Sequence, residues 1–271
     1  MNISELKAFY ERSAEEVLAD PKGAEAHEAL LAALESGELR SAEKREDGNW
    51  HANAWVKQAI LAGFRRTAIA EIEGPGFPFF DKTAYLPRQF GLESGVRLVP
   101  GGSSVRRGAF VSKGAVVMPP AYINVGAYVG AGTMVDSHAL VGSCAQIGER
   151  VHLSAAAQVG GVLEPAGAVP VVVEDDAFVG GLVGLFEGVV VRKRAVLASG
   201  VIITGSTVIY DLVNGRELRK EVPEGAVVVP GSRPAGGEFA KAQGISLYAP
   251  VIVKYRDERT DASTALEGAL R

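Results

Sequence analysis

The chain is poor in several things that ordinary domains rely on. It has one cysteine, Cys144, in 271 residues. That excludes an internal disulfide framework and suits a reducing compartment. Aromatic residues make up only 7% of a chain that is 47% hydrophobic, so the core must be built from small aliphatic side chains. No apolar run reaches the ~18 residues that a membrane span needs. Positive charge is not in excess either. The 28 Lys and Arg against 32 Asp and Glu give a net charge of −4, which offers no global field for nucleic acid. The opening MNISELKAFYERSAEEV places charges where a signal peptide needs an apolar stretch. These absences set the expectation of a cytoplasmic protein with no membrane or nucleic-acid partner.

What the chain does have is glycine, 33 of them, and rhythm. Before residue 95 or so the pattern is helical. Leu6, Phe9, Tyr10 and Val17 recur among charges over 3–19. The Ala/Leu/Glu-rich run 23–37 stops at Gly37, a helix terminator. Residues 38–55 read as a short strand, an Asp47-Gly48 turn and a return. Residues 53–66 are again helical. EGPGFPFFDKTAYLP, punctuated by Gly and Pro, reads as a linker with aromatic anchors.

From Val99 the period becomes six. Aliphatic residues fall at Val99, Val105, Val111, Val117, Ile123, Val129, Val135, Val141, Ile147, Leu153 and Val159. Small residues such as Ala109, Ala127, Thr133 and Ala145 follow four places after most beats. EPAGAVPV interrupts, and the rhythm resumes two residues out of phase from Val173 to Ile209. After GRELRKE two last beats come at Val222 and Val228. A period of six fits neither a helix nor a flat strand. It fits a coil of three short strands, each turning one aliphatic side chain inward, stacked at the ~4.8 Å strand spacing into roughly seven coils. The pattern resembles the hexapeptide-repeat proteins, which implies a left-handed parallel β-helix. Handedness comes from that resemblance and not from spacing. The expected fold is therefore mainly β: a small α-rich domain over 1–95, the β-helix over 96–232, and a C-terminal extension over 233–271.

Longer motifs narrow the resemblance. FFDK, RLVPGG, RRGAFVSKGAVVMPPAYINVGAYVGAGTMVDSHALVGSCAQIGERVHLS, GGVLEP, FEGVVV and SLYAPVIVKYRDERT, with SGELRSAEKREDGNW and AWVKQAI upstream, together resemble the tetrahydrodipicolinate N-succinyltransferase family of bacterial lysine and diaminopimelate synthesis. The likeness spans nearly the whole chain. It implies transfer of a succinyl group from succinyl-CoA to an amine on a dicarboxylate acceptor, by a homotrimer. Chemistry sets the needs of such a transfer. The amine must lose a proton, which a carboxylate can take. The thioester oxygen gains charge and needs a fixed donor such as a backbone N–H. Carboxylates on either substrate need Arg or Lys.

By the same resemblance, Asp136 in TMVD is the acceptor-binding acid, Glu187 in LFEG the second functional carboxylate, and Arg97 an acceptor-binding arginine. Asp136 and Glu187 lie several coils apart, more than ~10 Å at the strand spacing. They meet only across a subunit interface. Arg106 and Arg107 are outward positions that serve either a carboxylate or plain surface. His138 has three readings: general base, acceptor-pocket wall, or surface, because the family usually carries an aromatic residue there. His152 is read as structural. Zinc would need three histidines, and His27 and His51 lie in the other domain, so no metal is expected. Cys144, three places after Val141, reads as a corner filler and not a nucleophile. Gly200 and Gly205 are candidates for close approach by a pantetheine arm, and Arg233 and Lys254, with Lys241 and Arg256, for CoA phosphates. One departure stands out: 181–184 is GLVG where many family members carry a polar run with Arg and Ser. It bears on the acyl group or the acceptor and not on the reaction class; the alternatives to succinyl transfer are an acetyl-CoA-dependent N-acetyltransferase and, from a different class, a non-catalytic β-helical scaffold.

Overall fold

The computed structural model describes residues 1–74 and 77–257. Six of the strands that follow the hexad rhythm, from Ser104–Val105 to Ile202–Ile203, stack in parallel as one face. Six more, from Phe110–Val111 to Glu221–Val222, form a second face. A third face runs from Arg97–Leu98 to Val196–Leu197 and continues into Ala226–Pro234. Three parallel sheets wound around one core is the arrangement of a parallel β-helix. The beat residues Val117, Ile123, Val129, Val135, Val141, Ile147 and Leu153 are all fully buried, as are Ala109, Ala115 and Ala145 between them. Only small side chains fit there because each coil brings three strands to one axis. Thr133, also buried, satisfies its hydroxyl by donating to the Gly148 carbonyl and accepting from the Val151 N–H.

The corners explain the residues between beats. The third residue after a beat takes a left-handed backbone: Gly108, Gly114, Gly126, Gly132 and Gly200, but also His138, Cys144, Arg150, Ala156, Asp176, Leu182 and Arg194. A non-glycine residue held there costs about 1–2 kcal/mol, which the coil tolerates because ladder hydrogen bonds fix it on both sides. Cys144 is fully buried at such a corner, and burial pushes its thiol up to about 11. It is therefore neutral at physiological pH.

Four expectations are corrected. The strand position in register with Val117 is Leu98 and not Val99, because the Pro100–Gly102 turn adds a residue to that coil. Ile209 is buried but opens a strand, Ile209–Asp211, that pairs antiparallel with Arg216–Leu218 and so caps the coils instead of extending them. The supposed linker holds the return arm, Phe79–Lys82, of a hairpin with Ile69–Ile72. Of its aromatic anchors Tyr85 is buried, whereas Phe77 and Phe80 are exposed. The boundary expected at 232 falls inside a strand, Ala226–Pro234, that pairs antiparallel with Ser246–Tyr255 of the extension. The extension beyond Asp257 lies outside the described residues.

The N-terminal region packs α1 (Ile3–Tyr10), α2 (Ala14–Ala19), α3 (Gly23–Glu35) and α4 (Ala54–Arg66) around Leu6, Leu30, Leu31, Val56, Ile60 and Tyr85. Capping boxes start α1 (Asn2 with Glu5) and α2 (Ser13 with Glu16). Gly37, at φ +78, ends α3 as expected. Val125 and Cys144 of the β-helix belong to this same core, so the two regions share one apolar interface. A polar clamp adds to it. Glu174, 4% exposed, accepts from Lys44 (2.8 Å), Trp50 Nε1 (2.9 Å) and Arg192 (3.2 Å). Burial pushes its carboxyl up, but Lys44 and Trp50 outweigh that and hold it below the usual range.

Candidate active site on two edges of the coil

Asp136 follows Val135 directly, so it stands on the edge where the third face turns into the first. Its N–H donates to the Leu153 carbonyl one coil on (2.9 Å), and its Oδ1 accepts from the Ser137 N–H (2.7 Å). The side chain is half-buried, with a face left to solvent. His138, two residues on, is exposed and left-handed at φ 62, and its carbonyl accepts from Gln158 Nε2 (3.1 Å). Arg97 lies on the third face, paired with Val116, which pairs in turn with Met134 beside Asp136's strand. Two rungs therefore separate Arg97 from that strand, about 10 Å, within the reach of a long side chain. Gly200 sits further up this same edge: its N–H donates to the Gly181 carbonyl. The GLVG segment meets the edge there too, with Leu182 left-handed and 68% exposed.

Glu187 stands on a different edge, where the first face turns into the second. Both Glu187 (φ 56) and Gly188 (φ 74) are left-handed. Among the described residues the only other such succession is Gly101–Gly102, at the entrance to the coils. Glu187 Oε2 accepts from the Gly205 N–H (3.0 Å) in the next coil. A Cβ at 205 would lie 3.1 Å from that oxygen. Glu187 lines a cleft of about 520 Å³ with Gly160, Gly161, Pro165, Ala168, Phe186 and Thr204. Sequence reading missed this wall, which is the insertion that breaks the rhythm. The signal was present in the glycine pair before EPAGAVPV and the eight extra residues between Ile147 and its partner Val173.

The structure thus brings Glu187 to Gly205, and sets Asp136, His138 and Gly200 on one edge with Arg97 approaching it. It does not bring the two carboxylates together. They occupy opposite edges of the first face, with the strand Gln158–Val159 between their coils. Arg106 lies low on the Glu187 edge, 15% exposed in its side chain and ion-paired with Asp81. Arg233 and Lys254 are exposed on the C-terminal hairpin, Arg233 reaching the Pro234 carbonyl (3.5 Å) and Lys254 pairing with Asp257 (3.3 Å). Among the described residues no group of three His, Cys, Asp or Glu side chains is placed to hold a metal ion, and no helix is long and apolar enough to cross a membrane.

The chain is similar to known proteins along most of its length. Residues 4–65 match the family model described as tetrahydrodipicolinate N-succinyltransferase N-terminal. The 2,3,4,5-tetrahydropyridine-2,6-dicarboxylate N-succinyltransferase of Ruegeria pomeroyi is 49% identical, over 91% of this chain and 89% of its own. Its namesakes from Aromatoleum aromaticum and Brucella melitensis are each 46% identical, over 90% and 98% of this chain and 88% and 95% of their own. A crystal structure from Campylobacter jejuni, described as a putative 2,3,4,5-tetrahydropyridine-2-carboxylate N-succinyltransferase, superposes with a TM-score of 0.56 at 15% identity. It covers 89% of this chain, which spans 64% of that one, and it speaks to fold alone.

Proposed function

The chain belongs to the 2,3,4,5-tetrahydropyridine-2,6-dicarboxylate N-succinyltransferase family, and from that premise we propose that it transfers a succinyl group from succinyl-CoA to the amine of the open-chain acceptor, 2-amino-6-oxopimelate. The amine nitrogen attacks the thioester carbonyl, a C–N bond forms, the C–S bond breaks, and CoA leaves as the thiol. No covalent enzyme intermediate is needed. Cys144, the only thiol, is fully buried and protonated, which supports direct transfer.

The observation that carries the reading is the separation of Asp136 and Glu187 onto two edges. A single small acceptor cannot touch both within one subunit. We therefore place the site between neighbouring subunits of a cytoplasmic homotrimer, with Asp136 from one and Glu187 from the next. Asp136 binds the acceptor amine, Arg97 takes an acceptor carboxylate, and His138 walls the pocket. One of the two carboxylates accepts the proton. Arg106, committed to Asp81, is better read as holding the 69–82 hairpin to the coil than as a substrate ligand. On the Glu187 edge, Gly205 gives the pantetheine arm room, while Gly200, with only Pro230 within 4 Å of an added Cβ, leaves open space on the other. Arg233 and Lys254 are the charges for CoA phosphates. The coils are taken as left-handed, as the hexad resemblance implies.

Thiol release with succinyl-CoA, acetyl-CoA and the acceptor tests the function. Faster release with succinyl-CoA is expected. No release with either donor, or faster release with acetyl-CoA, contradicts the reading.

A further inference from the structure

One side chain outside the site is built expensively. Lys57, on α4, is fully buried. Its ammonium donates to the Ala168 carbonyl, and among the described residues no carboxylate pairs with it. Desolvation by burial holds its pKa below the usual lysine range. Methionine would fill the same space without an ammonium to desolvate, and replacement of buried charges by apolar groups is often neutral or stabilising. The cost therefore calls for a use.

The use lies at the other end of the hydrogen bond. Ala168 belongs to the insertion, residues 160–170, and lines the Glu187 cleft together with Val169. The Val169 carbonyl presses on the Glu187 corner so closely that a Cβ at Gly188 would lie 2.5 Å from its oxygen. Gly188 in turn is the second left-handed residue of that corner. A continuous path runs from the ammonium through the backbone of 168 and 169 to Gly188 and Glu187. The rest of the insertion is held at its two ends and on its apolar side. Gly160 donates to the Leu185 carbonyl (2.8 Å), Val162 donates to the Ser143 carbonyl (3.2 Å) and packs on the coil core, Leu163 packs on the helical core, and Pro170 is buried. That leaves the Lys57 ammonium, among the described residues, as the side-chain donor to its middle.

We propose that Lys57 is a positioning residue for Glu187, fixing the 160–170 insertion from beneath so that the insertion fixes the corner. This rests on the reading of Glu187 as an active-site carboxylate.

The test uses full-length K57M, K57R, G188A and E187Q, assayed by thiol release, with thermal unfolding of each. Displacing a reacting group by about 1 Å costs up to 10²-fold, so K57M is expected to lose about 10- to 100-fold in kcat with Tm unchanged or raised. K57R, which keeps charge and donors, should restore most of it. G188A disturbs the same contact from the other side, so it remains informative should K57M fold poorly. The double variant K57M/G188A, made alongside these, should be no worse than the more severe single, because both break one path. Wild-type kcat in K57M, a loss that merely follows a lower Tm, or fully additive losses in the double variant would each overturn the proposal. E187Q separates the two readings. If E187Q is inactive while K57M and G188A turn over normally, only the positioning role falls. If E187Q is fully active, the role of Glu187 falls and this inference with it.

Discussion

The Asp136 edge and the Glu187 edge belong to the same coils but are built differently. From Asp136 onward its edge turns in the same way in each coil, with one left-handed residue per corner (His138, Ala156, Leu182, Gly200), and only the first two corners differ, with Gly101–Gly102 doubled and Pro119–Pro120 in place of a left-handed residue. Nothing is inserted between those rungs. On the Glu187 edge the helical core docks at Val125 and Cys144, the 160–170 insertion follows, and Glu187 and Gly188 make a doubled left-handed corner. A regular edge can present an acid simply by placing it one residue after a beat. The irregular edge needs extra chain to build a wall beside its acid. Departures from a repeat cost local energy, so their accumulation at one place marks where structure has been bent to a task.

The largest effects should come from the acids. D136N and E187Q are each expected to lower kcat/KM by about 10²- to 10⁴-fold, the range for a lost proton-transfer group, with sedimentation unchanged. Near-normal turnover in either would leave only one working edge and break the comparison. Next comes the clamp that seats the helical region beside the irregular edge. E174Q keeps one acceptor oxygen but removes the buried negative charge that Lys44 and Arg192 face, and is expected to cost about 3 kcal/mol in urea unfolding. An unchanged midpoint would mean that the apolar core alone does the seating.

Glycine substitutions sharpen the contrast further. G205A places a Cβ 3.1 Å from Glu187 Oε2 and should cost about 10-fold in kcat/KM, near the worth of a charged hydrogen bond. On the regular edge, G200A meets only Pro230, at 3.9 Å, and should cost about 1 kcal/mol of stability for its positive φ with turnover retained. Equal effects on activity would erase the difference between the edges.

The smallest effect is on pH dependence. Burial lowers the pKa of His27, in the helical region, below its usual 6.5. The fold therefore favours the neutral ring, and its contribution is complete above pH 6.5 and declines as pH falls through the depressed value. At the far cap of the coil, burial pushes Asp211 up, but hydrogen bonds from Asn214, Tyr255 and Arg216 outweigh it and hold the carboxyl at about 2. That contribution is full above pH 3.8 and is lost towards pH 2. Hydrogen exchange on acidification should open the helical region before the cap; the reverse order would contradict both assignments.

Much of this was legible in the sequence. Beats such as Val135 and Ile147 had to be core because they are the only large aliphatic residues that recur every six, with the small residues four places on filling the remaining inward positions, and Asp136 had to face outward because it follows a beat. The register slip at Leu98 was not legible, since Leu98 and Val99 are adjacent and both aliphatic, and spacing alone does not choose between them. Ile209 kept the beat but left the coil, because what decides is the partner strand Ser246–Tyr255, far along the chain. The Glu187 cleft was hidden for the same reason. Its wall is an interruption of the repeat, and periodicity has nothing to say about where interrupted chain packs. In sequence Lys57 is one more lysine on a helix; only its acceptor, the Ala168 carbonyl, sets it apart.

The central claim is that one acid from each edge meets across subunits. Mixing D136N and E187Q chains, with exchange allowed, tests it most directly. Random assembly at equal ratio should restore roughly a quarter of the wild-type rate, because a mixed interface can join an intact Asp136 to an intact Glu187. A mixture whose subunits have exchanged, yet which is no more active than its two inactive parents, would contradict the account.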